Sequence, residues 1–223
     1  MTDKVQLKTS ELLGHTGEEI LFSLLNTASE MSLSYACWRL PKSTEFTILI
    51  DFLERPVKQK PQLERSAQGF LIQSFLQNNA EETIFLRADL VYSTSGKNIS
   101  VNSDSIEAVL KEKFFNNFHE NLKSGNHTTK LPVFDKQSSS KNTINHYTEL
   151  VQVGKKAILD NKFKKVVLAR SKELNITSEL NISAILQKVA AEYSSALVSL
   201  IHTKETGTWM TATPEILASI DKD

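Results

Sequence analysis

A single cysteine, Cys37, is all the thiol that this sequence of 223 residues contains. One cysteine excludes an intramolecular disulfide and makes a reducing compartment the natural home. It stands in the apolar run Tyr35-Ala36-Cys37-Trp38 with nothing nearby to hold a thiolate. It is therefore expected as a small buried hydrophobe and not as a nucleophile. Net charge is absent too: Lys plus Arg total 26, and Asp plus Glu total 26. A neutral chain carries no overall electrostatic footprint for nucleic acid or an anionic membrane, so neither is expected as a partner. No apolar run approaches the roughly 18 residues of a membrane helix. The opening Met1-Thr2-Asp3-Lys4-Val5 also lacks the apolar core of a signal peptide. The expected location is the cytoplasm.

The usual devices of catalysis and ligand binding are missing as well. There is no Gly-rich phosphate loop, no Gly-x-Ser-x-Gly elbow and no zinc spacing of Cys and His. The five histidines (His15, His119, His127, His146 and His202) are scattered and read as surface or satisfied core residues. No internal repeat is present. What remains is ordinary globular composition, 40% hydrophobic and 23% charged.

Hydrophobic spacing supplies the first positive signals. Ile20, Leu21, Leu24, Leu25 and Met31 predict a helix over 17–33. Ser34 to Leu40 and Phe46 to Phe52 read as strands, joined through the polar, proline-led Pro41 to Glu45. Further strands are predicted over 68–72 and, as one element, over 83–92. Strands that follow one another predict an antiparallel sheet in this front part. Residues 93–105 and 135–142 are polar and aperiodic and read as loops or linkers.

Beyond residue 142 the pattern sharpens. Tyr147, Leu150, Val151, Gly154, Ala157 and Ile158 predict an amphipathic helix, with Asn161 near its stop. Val166-Val167-Leu168-Ala169 has the β-branched, apolar character of a buried strand. The basic residues before it, Lys162, Lys164 and Lys165, read as a solvated strand entrance. A helix through Ile185, Leu186, Val189, Ala190 and Tyr193 leads to a strand over 196–201. A turn over 204–207 and strands over 208–212 and 216–220 follow. The class is α+β.

Two segments carry chemistry. Lys164-Lys165-Val166-Val167-Leu168-Ala169-Arg170 places Lys165 on one strand face with Val167 and Ala169, opposite Val166, Leu168 and Arg170. An amine on a face that lines an apolar pocket is desolvated, which favours its neutral form, and a neutral amine can take a proton from water. The plainer reading is a lysine snorkelling from a strand start. The second segment is Trp209-Met210-Thr211-Ala212-Thr213-Pro214-Glu215-Ile216-Leu217. A carboxyl held at Glu215 in a partly buried cleft could give a proton to a leaving group. Its plainer reading is a solvated glutamate between strands.

Together, and 50 residues apart from Lys165 to Glu215, these segments resemble the two leading motifs of the chorismate-utilising enzyme family. The resemblance is strong over about residues 144–220. Before that, only Gly69-Phe70 and the strand order look similar. It implies an α+β fold of stacked antiparallel sheets flanked by helices, with chorismate as the small-molecule substrate and Mg²⁺ as cofactor. A lysine at this position goes with water as nucleophile, whereas the ammonia-adding members are similar to one another in carrying glutamine. The resemblance therefore implies Lys165 as general base and Glu215 as general acid of an isochorismate synthase, an isomerase feeding menaquinone or siderophore biosynthesis. A salicylate synthase, which goes on to eliminate pyruvate, is the near alternative. Thr211 departs from the pattern, since the family commonly shows glycine there. The family's metal-binding glutamates correspond to positions beyond Asp223. Residues 1–223 are thus expected as one incomplete domain, a divergent strand-rich front (1–140) and a motif-bearing rear (141–223). On that expectation the chain alone is inactive, or is a non-catalytic remnant or interaction module.

Overall fold

The computed structural model describes residues 4–6, 12–58, 67–73, 83–96, 98–102, 106–125, 144–172, 174, 176 and 180–214. The linker expected over 135–142 and the strand expected over 216–220 lie outside them. The chain divides into two compact units, Met1–Pro132 with Glu179–Asp223, and Val133–Ser178. In chain order the elements begin with β1 (Lys4–Gln6), α1 (Gly17–Glu30), β2 (Ser34–Arg39), β3 (Phe46–Asp51) and β4 (Val57–Lys58). Next come β5 (Gly69–Ile72), β6 (Ile84–Arg87), β7 (Leu90–Ser93), β8 (Ile99–Asn102) and α2 (Ala108–Ser124). The second unit holds α3 (Ile144–Leu159), and the chain then returns through α4 (Ile182–Glu192), β9 (Leu197–Thr203) and β10 (Gly207–Thr213). No helix of the described residues is long and apolar enough to cross a membrane.

The first unit is built on a seven-stranded antiparallel sheet in the order β1-β8-β7-β3-β2-β9-β10. Its β2–β3, β7–β8 and β9–β10 pairs are local hairpins, whereas β1 with β8, β3 with β7 and β9 with β2 join distant stretches, the last with Tyr35 opposite His202 and Arg39 opposite Val198. One face packs against helices. Ile20, Leu21, Leu24 and Leu25 of α1 are fully buried there. Phe114, Phe118 and Leu122, four residues apart on α2, join them in the same core. The other face, with Ala36 and Leu49, is covered by a three-stranded sheet, β4-β6-β5. Trp38 meets Phe70 across that gap at 5.5 Å between ring centroids. Gly69 leaves the room that the Phe85 ring occupies.

The helix expected over 17–33 ends sooner. It begins with a capping box: Glu19 N–H donates to Thr16 Oγ1 (3.2 Å) and Thr16 N–H to Glu19 Oε2 (2.6 Å). It stops because Ser32 turns left-handed (φ 54°) and Leu33 N–H folds back to the Ala28 carbonyl.

The single strand expected over 83–92 is two strands in two different sheets. Asp89 Oδ2 accepts from Phe52 N–H (3.0 Å) and from Arg87 Nη2 (2.6 Å). Asp51 Oδ2 accepts Arg87 N–H (3.1 Å). These carboxylates take up donors that a continuous ladder would have used, and the chain breaks at Ala88-Asp89 to cross between layers. The loop expected over 93–105 contains β8, whose Ile99 and Val101 alternate inward to fill the core. Four apolar-polar residues are too short a signal to separate from a loop by pattern alone.

Arg39 is the main polar joint of this unit. It is 3% exposed, and its guanidinium donates to five carbonyls. Nη1 reaches Leu40, Ser43 and Ser194 (2.9, 3.1 and 3.0 Å), and Nη2 reaches Tyr193 and Ala196 (2.7 and 3.1 Å). The last three of these residues follow α4, so the cation sits at the negative end of a helix and holds it to the β2–β3 turn. Lys42 N–H adds a bond to the Ser194 carbonyl at 2.8 Å. Replacing Arg39 by lysine keeps the charge but not the fork geometry. Arg39→Lys should lower unfolding free energy by about 2 kcal/mol and Arg39→Ala by more, read from urea denaturation midpoints. An unchanged midpoint in Arg39→Ala would remove the joint.

His202 is buried, stacked on Tyr35 at 5.4 Å, with Nδ1 2.8 Å from Thr208 Oγ1. Burial, and then the charge of Lys204, holds its imidazole below the ordinary histidine range. A depressed histidine favours the neutral ring in the folded state. Its contribution is present above the unfolded value near 6.5 and is lost as pH falls through the folded value. Melting temperature should therefore drop as pH is lowered from about 7 toward 5. The slope over that window should be shallower in His202→Gln, and equal slopes would assign the acid sensitivity elsewhere.

Candidate functional site

In the second unit, α3 and the segment after it form a helix and a returning arm. The helix stops where Asn161 adopts φ 57°, with Lys162 N–H bonded to the Ala157 carbonyl at 2.9 Å. Residues 163–172 then run on outside helix and strand. A Cβ placed on Gly154 would lie 3.2 Å from Val166 Cγ1 and 3.5 Å from Leu168 Cδ1. Farther along, the Arg170 guanidinium lies over the Tyr147 ring at 5.5 Å. The arm therefore passes back along α3, with Val166 and then Leu168 against buried Gly154 and Arg170 against the first turns.

This arrangement corrects one expectation and refines another. Val166–Ala169 is not a buried strand. Val167 is 81% exposed, and among the described residues no strand pairs with the run. An apolar β-branched run needs a neighbour's donors and acceptors before it becomes a strand, and α3 offers side chains only. The alternation nevertheless holds. Val166, Leu168 and Arg170 turn toward the helix, while Lys165, Val167 and Ala169 are on the other side and exposed. Lys165 is thus in solvent on an outward apolar face, and the described residues do not desolvate it. Lys162 and Lys164 are exposed as well, in line with a solvated stretch.

The second motif belongs to the first unit. Trp209 to Thr213 lie in β10, which pairs with β9, Met210 opposite Leu200 and Thr211 opposite Ser199. Trp209 is 59% exposed and its Nε1–H donates to the Thr206 carbonyl at 2.8 Å. Thr211, where the resemblance leads one to expect glycine, is accommodated by an exposed position on the strand. Its hydroxyl pairs with Ser199 Oγ at 2.8 Å. Pro214 is exposed at the strand's end, and Glu215 lies outside the described residues.

Other candidates fare worse. Burial pushes the Cys37 thiol up to about 12, so it stays protonated and inert at neutral pH. Among the described residues no three His, Cys, Asp or Glu side chains converge, so they do not fit a Mg²⁺ site. A cavity of about 400 Å³ opens beside Arg39, Lys42, Phe46, Gln187 and Ser194. Nothing in the sequence joins those positions, which only the β2–β9 pairing gathers. The Nη donors of Arg39 are already spent on carbonyls, while its buried Nε has no hydrogen-bond partner among the described residues.

The family model described as "Chorismate binding enzyme" matches residues 40–223. No curated protein and no solved structure matches the chain.

Gly154 is the residue that lets the arm lie on α3. Alanine there should be nearly neutral, because higher helix propensity (about 1 kcal/mol) offsets a contact that half-exposed Val166 can relax. Gly154→Leu should lift the arm, read as faster tryptic cleavage at Lys164, Lys165 and Arg170 with the rest of the fold intact. Equal cleavage rates would show that the packing against Gly154 does not hold the arm.

Proposed function

The chain belongs to the chorismate-binding enzyme family, and on that footing we propose that it acts as an isochorismate synthase. The observation that carries this reading is Lys165 on the outward face of its arm, beside Val167 and Ala169 and free of α3. An amine presented in this way can be covered by substrate and by apolar surface, which removes its water and favours its neutral form. The residue type at this position also favours water over ammonia as the nucleophile. A lysine suits activation of water, where the ammonia-adding members of the family are similar to one another in having glutamine.

In the proposed reaction Lys165 takes a proton from water as its oxygen bonds to C2 of chorismate. The ring π electrons shift and the C4–O bond breaks. Glu215 gives its proton to the departing hydroxyl, which leaves as water. One water enters and one leaves, so the product is an isomer of the substrate. Each such acid or base group contributes typically about 10²–10⁴ in rate. No step here is routed through a metal, since the described residues do not fit one.

The test is turnover of chorismate in Mg²⁺ by the protein in a form that also supplies the metal-binding glutamates the resemblance implies, with products separated by chromatography. Isochorismate should accumulate, and Lys165→Ala and Glu215→Gln should each lower kcat by about 10²–10⁴ while leaving the circular dichroism spectrum unchanged. Salicylate appearing with pyruvate would transfer the chain to the salicylate-forming reading. Wild-type turnover by Lys165→Ala would end the assignment of the base.

A further inference from the structure

The chain is neutral as a whole, but the described part of its second unit is not. Residues 144–172 carry seven Lys and Arg against two carboxylates, Glu149 and Asp160, a net charge of +5. With the full chain at zero, every other residue together carries the balancing −5. The cations are concentrated by the fold. Lys155 and Lys156 lie on the last turns of α3, and Lys162, Lys164 and Lys165 lie on the turn and the start of the arm that comes back over Gly154. Two stretches of sequence therefore place five ammonium groups at one end of a single hairpin. Arg170 and Lys172 extend the same sign along the arm. All seven are exposed, and none of them has a carboxylate within ion-pair distance among the described residues.

A helix C-terminus accounts for one or two such cations, through attraction to its free carbonyls. It does not account for the remainder, which repel one another at close range. Such a field has a use when a small anion must arrive at one of the lysines. We propose that this hairpin is an electrostatic collector for a doubly charged small carboxylate, raising its local concentration at Lys165. Lys155 and Lys156 act through the field and touch neither substrate nor reacting atoms. The inference rests on the chorismate reading above, since chorismate is a dicarboxylate. A polyanion such as nucleic acid is the competing occupant. The concentration of five of the seven cations at one end favours a small ligand, because nucleic-acid surfaces present an even stripe of cations that follows the phosphate backbone.

Steady-state kinetics with chorismate over a range of NaCl test it, comparing the protein with Lys155→Glu/Lys156→Glu and the milder Lys155→Gln/Lys156→Gln. At low salt the glutamate pair should raise KM by roughly tenfold and the glutamine pair by about threefold, with kcat unchanged in both. The three KM values should converge near 0.5 M NaCl, where the Debye length is only about 4 Å. KM values that do not separate at low salt, or that stay apart at high salt, would overturn the collector. So would salt-sensitive binding of duplex DNA that the glutamate pair abolishes while KM stays put. These kinetics use the same metal-supplied form as the turnover test above, and complete absence of chorismate turnover in that form is a different result that strikes the proposed function itself.

Discussion

The guanidinium of Arg39 joins parts of the first unit that are more than 150 residues apart in sequence. Its five acceptors belong to the β2–β3 turn and to the residues after α4, and both must be in place before its charge is accommodated. A buried arginine without a carboxylate partner is tolerated only where many carbonyls converge on it. Antiparallel pairing of β9 with β2 brings those carbonyls there. β10 then follows as the local hairpin partner of β9 and carries the second motif. The placement of Trp209 to Pro214 thus depends on a joint that sits well outside the motif.

A second polar device performs a comparable task between layers. Asp51 and Asp89 are both buried, and with Arg87 they redirect the chain from the small sheet to the large one. Burial raises the Asp51 carboxyl above its usual range, and hydrogen bonds from Leu53 and Arg87 N–H oppose that rise only in part. Buried carboxylates of this kind define where a strand ends more than they stabilise it. The apolar faces on both sides supply the favourable area. The polar groups select one register from several that the same hydrophobic pattern would allow.

The second unit works through a different economy of contacts. Gly154 costs α3 some helix propensity, and in exchange the arm can approach the helix closely enough for Val166 and Leu168 to pack there. Its lysines are left in solvent with few counter-charges among the described residues. Lys165 shares that exposure, and its neighbours Val167 and Ala169 form the apolar surface beside it.

Much of this was legible locally. Helical spacing gave α1, α3 and α4 within a few residues, and short apolar runs bounded by turn residues gave β2, β3, β5, β9 and β10. The segments around Lys165 and Thr213-Pro214 stood out through their resemblance to the chorismate-utilising family, and the matched family is that of chorismate-binding enzymes. Elements with weak or short patterns were not legible: β8 and β4 are too brief, and the break at Ala88-Asp89 depends on donors from Phe52 and Arg87. Sequence by itself determined which residues prefer water and which do not, and hence the elements and the faces they bury. Only the tertiary structure decided that Val166–Ala169 stays out of a sheet and that β9 pairs with β2. It also decided that lysines from two stretches share one end of a hairpin. Each of these depends on hydrogen-bond partners or charges supplied by another part of the chain, and no local pattern records what a distant segment will offer.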